Sequence, residues 1–306
     1  EIKMSTNFKN GIKSYGIPVL PGIAGGLYTG NIFFVDSGNV DGSDSPSAGS
    51  KDTPFVTLDY AVGKCTADNG DVIILLPGHS EAYSSAGALD LDVSGITIVG
   101  VGAGANQPVI TLNTAATADI DIDAANITIE NVHFKANFAD IAAYFDVNAD
   151  DFTLRGCRMS ETAVNMNALI WVQDAAAGGS DRITIEDCIC IDKDAANTHF
   201  INMAGTGDGH LIRRNVLMVD AGTMAIGGAG VVTNCIVMDN VINNAATTSD
   251  ACINMAATAT GIIVGNDCAG GAVQANGITA SACLISRNYY GVLTEDLSAI
   301  LDPIAT

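Results

Sequence analysis

The sequence predicts an all-β fold, a right-handed parallel β-helix solenoid of about nine coils, because one short block recurs along most of the chain. Each block alternates apolar residues and ends at a turn residue. The copies from the middle of the chain onward end at Asn131, Gly156, Asp187, Asn215, Asn240, Asn266 and Asn288. Such self-similarity is typical of solenoids, in which each repeat buries its core only by stacking on the next repeat.

Within the block the apolar residues have a period of two, which indicates a β-strand. Apolar residues stand four positions before each turn, at Ile73, Ile96, Ile127, Phe152, Ile183, Leu211, Ile236, Ile262 and Leu284. A second alternating segment of the later repeats carries Ile170, Ile201, Ile226, Ile253 and Ile278. We therefore expect two short strands per coil. The intervening stretches are rich in Ala, Gly, Asn, Thr and Asp, which argues against helical repeats.

The turn residues are types that tolerate a left-handed backbone and hydrogen-bond their own main chain, so we expect them to stack as a ladder. Charges alternate one position before the turn, at Glu130, Arg155, Glu186, Arg214 and Asp239. Adjacent rungs of a solenoid lie roughly 4.8 Å apart, so opposite charges on successive rungs can form ion pairs. A catalytic base is the alternative role for such an arginine, and the alternation favours the structural role.

Composition and periodicity divide the chain into four segments. These are an extended N-terminal arm (1–30), an N-terminal cap of the solenoid (31–70), the parallel β-helix (71–291) and a C-terminal cap or contact tail (292–306). In the cap we expect a strand at 32–35 and a short helix after Pro54, which cover the open end of the solenoid. In the tail, Thr294 can N-cap a helix with an apolar stripe at Ile300 and Leu301.

The balance of charge excludes some partners. The 306 residues include 34 acidic and 13 basic ones, giving a net charge of -21. Nucleic acid and anionic membranes would repel such a chain, whereas cations suit it. No apolar run approaches the roughly 18 residues of a membrane span, and Pro and Gly interrupt the apolar stretch at 15–27, so we expect no transmembrane segment and no signal peptide. The eight cysteines are expected to be free thiols in the core of a protein that folds in a reducing cytoplasm.

Acidic residues form two columns when the coils are aligned on the block. The candidate metal ligands are Asp90, Asp121 and Asp146 in one column, Asp92 and Asp123 in another, and Asp119 on the same outer face. Stacked carboxylates repel each other unless a cation or a proton intervenes, and rows of hard oxygen ligands suit calcium. Calcium is therefore the one cofactor the sequence suggests. A solvated acidic face is the alternative in so acidic a chain.

The opening segment resembles that of the pectin-lyase-like β-helix family. The resemblance lies in Asn31–Asp36, Gly42–Asp44, Thr53–Leu58, Asn69–Ile74 and Pro77–Glu81, with His79 where the family usually has Tyr or Thr. Similar segments open carbohydrate-active β-helices and β-helix proteins of phage particles. The resemblance also implies a precedent for calcium, since polysaccharide lyases of this fold bind it through acidic side chains on an outer sheet.

The run from Asn7 to Leu20 further resembles the starts of small virion proteins of tailed phages. The leading functional hypothesis is a structural virion protein, in the form of a capsid decoration, head fibre or spike. Under this hypothesis the protein folds in the host cytoplasm, is located in the virion and forms a homo-oligomer, with a trimer favoured, through its arm and tail. Its partners would include other virion proteins such as the major capsid protein.

Two alternatives remain. One is a calcium-dependent polysaccharide lyase or depolymerase, for which Lys135, Arg155 and Arg158 are candidate bases. The other is a spike that binds a glycan or receptor without catalysis. Trp171 is the only tryptophan and aromatic residues make up 6% of the chain, and this scarcity counts against a carbohydrate enzyme, whose clefts stack sugars on aromatic rings.

Overall fold

Three parallel sheets run along the solenoid, and each coil contributes one strand to each sheet in turn. The computed structural model describes residues 13–14, 17–18, 30–163, 165–174, 180–246, 251–271, 277–292 and 298–301. Within these ranges eight coils are complete, and a ninth supplies two of its three strands. The predicted right-handed parallel β-helix is confirmed, but each coil has three strands where the sequence predicted two.

The first sheet carries the repeated block of the sequence. Its strands are β3 (Ile32–Val35), β4 (Val72–Leu75), β7 (Thr97–Gly100), β10 (Thr128–Glu130), β13 (Thr153–Arg155), β16 (Thr184–Glu186), β20 (Leu211–Arg213), β24 (Cys235–Met238), β27 (Gly261–Val264) and β30 (Cys283–Ser286). All described pairs in this sheet are parallel and in register, so each strand position forms a column along the solenoid.

The second sheet follows the first after a tight turn. Its strands are β5 (Ser80–Tyr83), β8 (Val109–Asn113), β11 (His133–Asn137), β14 (Arg158–Glu161), β17 (Ile189–Asp192), β21 (Val216–Val219), β25 (Val241–Asn244), β28 (Asp267–Gly270), β31 (Asn288–Val292) and β32 (Ser298–Leu301). Strand β32 pairs antiparallel with β31 and extends the sheet at its free edge. The helix predicted for the tail is therefore wrong over 298–301, because sheet pairing overrides the local helical pattern there; Thr294 lies outside the described residues.

The third sheet completes each coil. Its strands are β6 (Leu89–Asp90), β9 (Ile120–Ile122), β12 (Phe145–Val147), β15 (Ile170–Asp174), β18 (His199–Met203), β22 (Met224–Gly228), β26 (Ala251–Met255) and β29 (Ile278–Thr279). The remaining pairs are β1 (Lys13–Ser14) with β2 (Ile17–Pro18), and β19 (Gly207–Asp208) with β23 (Val232–Thr233). Apart from β1, β2 and Gly30, the predicted arm (1–30) lies outside the described residues.

A short helix, α1 (Leu58–Val62), lies between the first two strands of the first sheet, and Gly104–Asn106 form a single 3₁₀ turn. The hydroxyl of Thr57 caps α1 by accepting a hydrogen bond from the Tyr60 N–H at 3.3 Å. The apolar side of α1 joins the core of the first coil, as predicted for the end of the solenoid. No helix in the part of the chain that the structure describes is long and apolar enough to cross a bilayer.

The interior is one continuous apolar core formed by columns of inward side chains. Ile73, Ile98, Ile129, Leu154 and Ile185 form such a column in the first sheet, and all are at most 3% exposed. Burying one aliphatic side chain of this size contributes about 1.5 to 3 kcal/mol. Stacking of coils therefore supplies the stability that no single coil has alone.

The turn between the first and second sheets shows where the sequence alignment slipped. Left-handed backbone occurs at Asn131 and Asp187 as predicted, but next at Arg214, where φ is 54°, and not at Asn215. The same one-residue slip holds for the predicted turn residues Asn240, Asn266 and Asn288, since the left-handed residues are Asp239, Gly265 and Arg287. Because strand side chains alternate between faces, this slip reverses the predicted orientation of every first-sheet residue in the later coils.

The four asparagines instead point into the core and form the predicted ladder there. The Oδ1 of Asn240 accepts from the backbone N–H and the Nδ2 of Asn215, both at 3.0 Å. Asn266 and Asn288 repeat the arrangement, and each side-chain amide also donates to a carbonyl of the preceding coil. These buried amides are thus hydrogen-bonded along the solenoid, which makes their burial tolerable.

The predicted ion-pair ladder is present on the outer face of the first sheet. Arg155 donates to Glu130 at 2.7 Å and to Glu186 at 2.6 Å. The next rung of this column is Arg213 rather than the predicted Arg214, which lies at the turn and reaches both Glu186 and Asp187. Burial opposes ionisation of Glu186, but hydrogen bonds from Arg155 and Arg213 hold its pKa below the usual value. Arg155 therefore has a structural role.

Candidate functional site

The predicted acidic columns come together on the outside of the third sheet. Strand pairing aligns Asp90 with Asp121 and Asp121 with Asp146, as the sequence predicted. Asp119 flanks this column and accepts the backbone N–H of Gly87 at 2.7 Å. We call the six residues Asp90, Asp92, Asp119, Asp121, Asp123 and Asp146 the acidic face.

Crowding and partial burial raise the pKa of several carboxyl groups of the acidic face. The pKa of Asp121 rises to about 6, through burial first and then through repulsion from Asp119, Asp123, Asp146 and Asp90. Burial followed by neighbouring carboxylates also raises the pKa of Asp90 and Asp146. The negative charge of Asp59, in the cap, also acts on this group, because Asp59 and Asp92 both contribute to the raised pKa of Asp90. The face therefore holds protons at mildly acidic pH and attracts cations above it.

The chemistry of a cation on this face follows from the unpaired oxygens. One carboxylate oxygen each of Asp90 and Asp146 is buried without a hydrogen-bond partner. However, the carboxylates form a row: within the described ranges, no three His, Cys, Asp or Glu side chains are grouped so that they could hold a metal ion. The row does not fit a calcium cage of 6 to 8 protein oxygens. A calcium ion here would take most of its ligands from water, and the calcium site stays a prediction.

Beyond the acidic face, the same outward column becomes neutral and hydrogen-bonded. Gln173 follows Asp146 and accepts from Asn202 at 3.0 Å, and Thr279 donates to Asn254 at 2.7 Å further along. A shallow depression of about 380 Å³ lies at that end, lined chiefly by Met224, Met255 and small residues. It is several coils away from the acidic face.

The basic residues that a lyase would need are not on the acidic face. Lys135 and Arg158 lie on β11 and β14 of the second sheet. Arg155 lies on the first sheet in its ion-pair ladder. Proton abstraction beside a cation-bound sugar needs the base within hydrogen-bond reach of the same ligand. The structure therefore separates the candidate bases from the candidate cation site.

The histidines also form no catalytic group. His210 and Asp174 are fully buried with 3.3 Å between the imidazole Nε2 and Oδ2, inside the solenoid. His79 lies beside Glu81 near the cap, and His199 contacts the hydroxyl of Thr198. These side chains occupy separate coils.

Trp171 is a core residue and is not available to stack on a sugar. It is 0% exposed, stacks on Tyr144 with ring centroids 4.9 Å apart, and donates its indole N–H to Asp192 at 2.9 Å. The cysteines also contribute mainly to the core: all eight are free thiols, and six of them are buried. Burial raises the pKa of the Cys190 thiol well above its ordinary value, so this thiol is unreactive.

Sequence reasoning missed an exposed apolar surface on the later coils of the first sheet. Its members are consecutive rungs of one outward column, Leu211, Ile236, Ile262 and Leu284, which we call the apolar strip. Ile262 is 41% and Leu284 58% exposed. Apolar doublets in the sequence could have revealed it, because Ile262-Ile263 and Leu284-Ile285 place apolar residues on both faces, whereas strands β7, β10, β13 and β16 have Thr-Ile or Thr-Leu there.

A second apolar group faces outward at the other end of this sheet. Val72, Ile74 and Val99 form a cluster separate from the core, which we call the N-terminal patch. Its members alternate with the inward residues Ile73 and Ile98, yet they are only 0 to 6% exposed.

Taken together, the strand order and the core define a protein of the parallel β-helix class. No family model and no curated protein matches the chain. Among solved structures, it is similar to a rhamnogalacturonan lyase, with 11% identity over 85% of this chain and 87% of that one and a TM-score of 0.44.

Two further solved structures are similar to the chain. One is pectate lyase Pel9A, with 12% identity over 86% of this chain and 79% of the other and a TM-score of 0.36. The other is the GH136 lacto-N-biosidase from Eubacterium ramulus, with 12% identity over 86% and 68% of the two chains and a TM-score of 0.37. The parallel β-helix fold that the pectin-lyase-like resemblance implies is confirmed by the strand order of this chain, whereas the resemblance to phage proteins stays a prediction.

Proposed function

We propose that this chain is a structural β-helix protein of a tailed-phage-like particle, a capsid decoration, head fibre or spike that assembles as a homo-oligomer. The observation that carries the proposal is the apolar strip. A contiguous exposed apolar column on a soluble β-helix is a feature of interaction surfaces. The scarcity of exposed aromatic side chains among the described residues and the separation of bases from the acidic face support an assembly role over a catalytic one.

The strip favours a second copy of this chain as its occupant. Each copy carries a net charge of -21, so copies repel each other over most of their surface. The described members of the strip are uncharged, and the exposed side chains of Val241 and Tyr289 lie on the neighbouring second sheet. Parallel copies around a threefold axis would bury this same face in each subunit, which favours the trimer.

The place in a virion rests on the N-terminal run. Residues 7–20 resemble the starts of small virion proteins, and an arm of 30 residues is long enough to reach a neighbouring protein. In this proposal the arm and the tail contact other virion proteins, such as the major capsid protein, while the strip joins the copies of the chain.

Native mass by light scattering or native mass spectrometry tests the assembly. The wild-type protein should be a trimer, and the double variant Ile262→Asp with Leu284→Asp should be a monomer with an unchanged circular-dichroism spectrum. Val40→Asp is the matched control, because Val40 is 97% exposed and lies away from the strip. A monomeric wild type, or a double variant that keeps the oligomer, would contradict the proposal.

The role of the arm is tested by removing residues 1–30 and repeating the measurement with calcium and with EDTA. If the arm joins the protein to a particle, the truncated chain should lose binding to phage-like capsids while the full chain retains it. Retention of mass in EDTA would make calcium dispensable for assembly. Capsid binding that is indifferent to the arm would remove the basis for placing the protein in a virion.

A cation-dependent polysaccharide lyase or depolymerase is the second candidate, together with glycan binding without catalysis. The observation that favours it is the acidic face, with its unpaired oxygens on Asp90 and Asp146. Elimination from a uronate-containing polysaccharide leaves an unsaturated product, so a rise in ultraviolet absorbance with calcium would reveal the activity. Asp121→Ala and Asp146→Ala should abolish it, whereas Asp41→Ala should not. No absorbance change over a panel of uronate polysaccharides would sink the lyase hypothesis.

A further inference from the structure

Four polar side chains form a compact group on the outer face of the second sheet. Strands β11 and β14 pair so that His133 lies beside Arg158 and Lys135 beside Ser160. The intervening Phe134 and Met159 are buried in the core, so the four polar residues all point outward. Adjacent parallel strands are roughly 4.8 Å apart and alternate residues of one strand roughly 6.6 Å apart, so the four side chains lie at the corners of a small rectangle. We call them the cationic pad.

Neither cation of the pad has an acidic partner among the described residues. Arg155, Arg182, Arg213 and Arg214 each lie within ion-pair distance of at least one carboxylate. Lys135 and Arg158 form no such pair with any residue in the described ranges. In a chain with 34 acidic and 13 basic residues, two neighbouring cations that have no acidic partner among the described residues form a local positive charge that can attract an anion.

His133 reports the unbalanced charge. Burial first, and then the positive charges of Lys135 and Arg158, together lower its pKa to about 4, and no carboxylate is among these causes. The imidazole is therefore neutral at pH 7, and its Nε2 lies 2.9 Å from the Ser160 hydroxyl. A neutral imidazole next to a hydroxyl, an ammonium and a guanidinium offers several hydrogen-bond donors on one small surface.

We propose that the cationic pad binds a phosphate group, held by Lys135 and Arg158 with Ser160 and His133 as further hydrogen-bonding partners. Two positive charges match a phosphate dianion, and the guanidinium can donate two parallel hydrogen bonds to its oxygens. The source is inorganic phosphate or a phosphate ester. The side chain of Ile189 lies next to Arg158 along the sheet and is 39% exposed, which offers an apolar surface for the sugar of a phosphorylated glycan.

The test follows the titration of the His133 imidazole by NMR in the full chain, at constant ionic strength set with chloride. Adding inorganic phosphate should raise the pKa of His133 by about 1 to 3 in a saturable way, because a bound anion offsets the two cations. In the double variant Lys135→Met with Arg158→Met, the pKa should already be higher without phosphate and should not respond to it. Lys51→Met is the matched control and should behave as wild type, because Lys51 is exposed in the loop that precedes α1, away from the second sheet.

A second set of measurements distinguishes inorganic phosphate from a phosphate ester as the ligand. Glucose 6-phosphate that binds tenfold tighter than inorganic phosphate, with the advantage lost in Ile189→Ser, would assign the site to a phosphorylated sugar. Equal affinities would assign it to the free ion. A His133 pKa that does not move in 50 mM phosphate, or that moves equally in the double variant, would overturn the proposal. Neither outcome depends on oligomeric state, so this test is independent of the assembly proposal.

Discussion

Two apolar groups lie on the same outer face of the first sheet, and their surroundings differ. The N-terminal patch is buried, with Val72 and Ile74 at 0 and 2% exposure, whereas Ile262 and Leu284 of the apolar strip are 41 and 58% exposed. Both groups consist of branched aliphatic side chains on in-register strands. The difference teaches that the patch belongs to the interior of the folded chain, while the strip is open to solvent in the single chain, as the assembly proposal requires.

The largest effect is expected in the N-terminal patch, the buried member of this comparison. Ile74→Asp places a charge in a group that water does not reach, so it should cost more than about 4 kcal/mol of stability. Leu284→Asp should change the unfolding free energy of the monomer by less than about 0.5 kcal/mol, because the carboxylate stays in water. Urea unfolding of both variants, at concentrations where the protein is monomeric, checks the pair. Equal losses would show that the two groups are equivalent parts of the fold.

The next comparison concerns the column of buried side chains that follows the turn between the first and second sheets. It holds Cys157 and Cys188 in the middle coils and then the asparagine ladder. Asn240→Ala removes the acceptor of the Asn215 N–H and the donor to the Ile212 carbonyl, so we expect a loss of about 3 kcal/mol. Cys157→Ala removes only a buried sulfur and should cost about 1 kcal/mol. Thermal unfolding of the two variants would contradict the ladder's importance if the order were reversed.

The ion-pair ladder lies between the two apolar groups and should have a smaller effect. Arg155→Met leaves Glu130 without its cation, while Glu186 keeps Arg213. Because Arg155 is half exposed and solvent screens the pairs, we expect a loss of about 1 kcal/mol. The loss should shrink in 1 M salt, since screening weakens the pairs in wild type. Chemical unfolding at low and high salt measures this, and a loss independent of salt would assign the role of Arg155 to packing of its stem.

The smallest expected effect is a gain in stability from a substitution on the acidic face. The folded-state pKa of Asp121 is about 6, above its ordinary value of 3.8, so the folded chain binds this proton more tightly than the unfolded chain. Its contribution to stability is complete below about pH 4 and is lost as the pH rises through 6. Asp121→Asn should therefore match wild type near pH 4 and exceed it by about 1 kcal/mol at pH 7, after allowance for solvent screening.

The melting temperature as a function of pH measures this gain, with Asp41→Asn as the control. Asp41 is exposed in the loop that precedes α1, outside the acidic face. If the two variants had identical pH profiles, the raised pKa of Asp121 would be refuted.

The sequence was sufficient for the fold because the apolar block recurs in every coil, even where residues on both faces of its strand are apolar. Alignment of Asp90, Asp121 and Asp146 was also predictable, since the spacing of blocks carries the register from coil to coil. In the later coils the prediction reversed which first-sheet side chains face the core. The reason is that an asparagine such as Asn215 suits a turn position and a buried ladder equally well. Only the backbone angle at Arg214 separates the two.

The parts of the site that the sequence did not show depend on neighbours far apart in the chain. The cationic pad exists because strand pairing brings Arg158 beside His133, 25 positions apart in the sequence. Its lack of acidic partners is a property of the surface and not of any segment. The burial of the N-terminal patch likewise cannot be read from alternation, which predicts only that Val72 and Ile74 face away from the core.

The asparagine ladder determines which coils could be added to the solenoid or removed from it. Asn215, Asn240 and Asn266 each donate the backbone N–H and the side-chain amide to the asparagine of the next coil, so a coil within the ladder needs another ladder coil after it. Inserting a cysteine-type coil between Asn215 and Asn240 would leave an unpaired amide at the join, whereas duplicating a ladder coil within the run would preserve every bond. Length variation among descendants of such a chain should therefore occur by duplication inside one block, with the boundary near Cys188 retained.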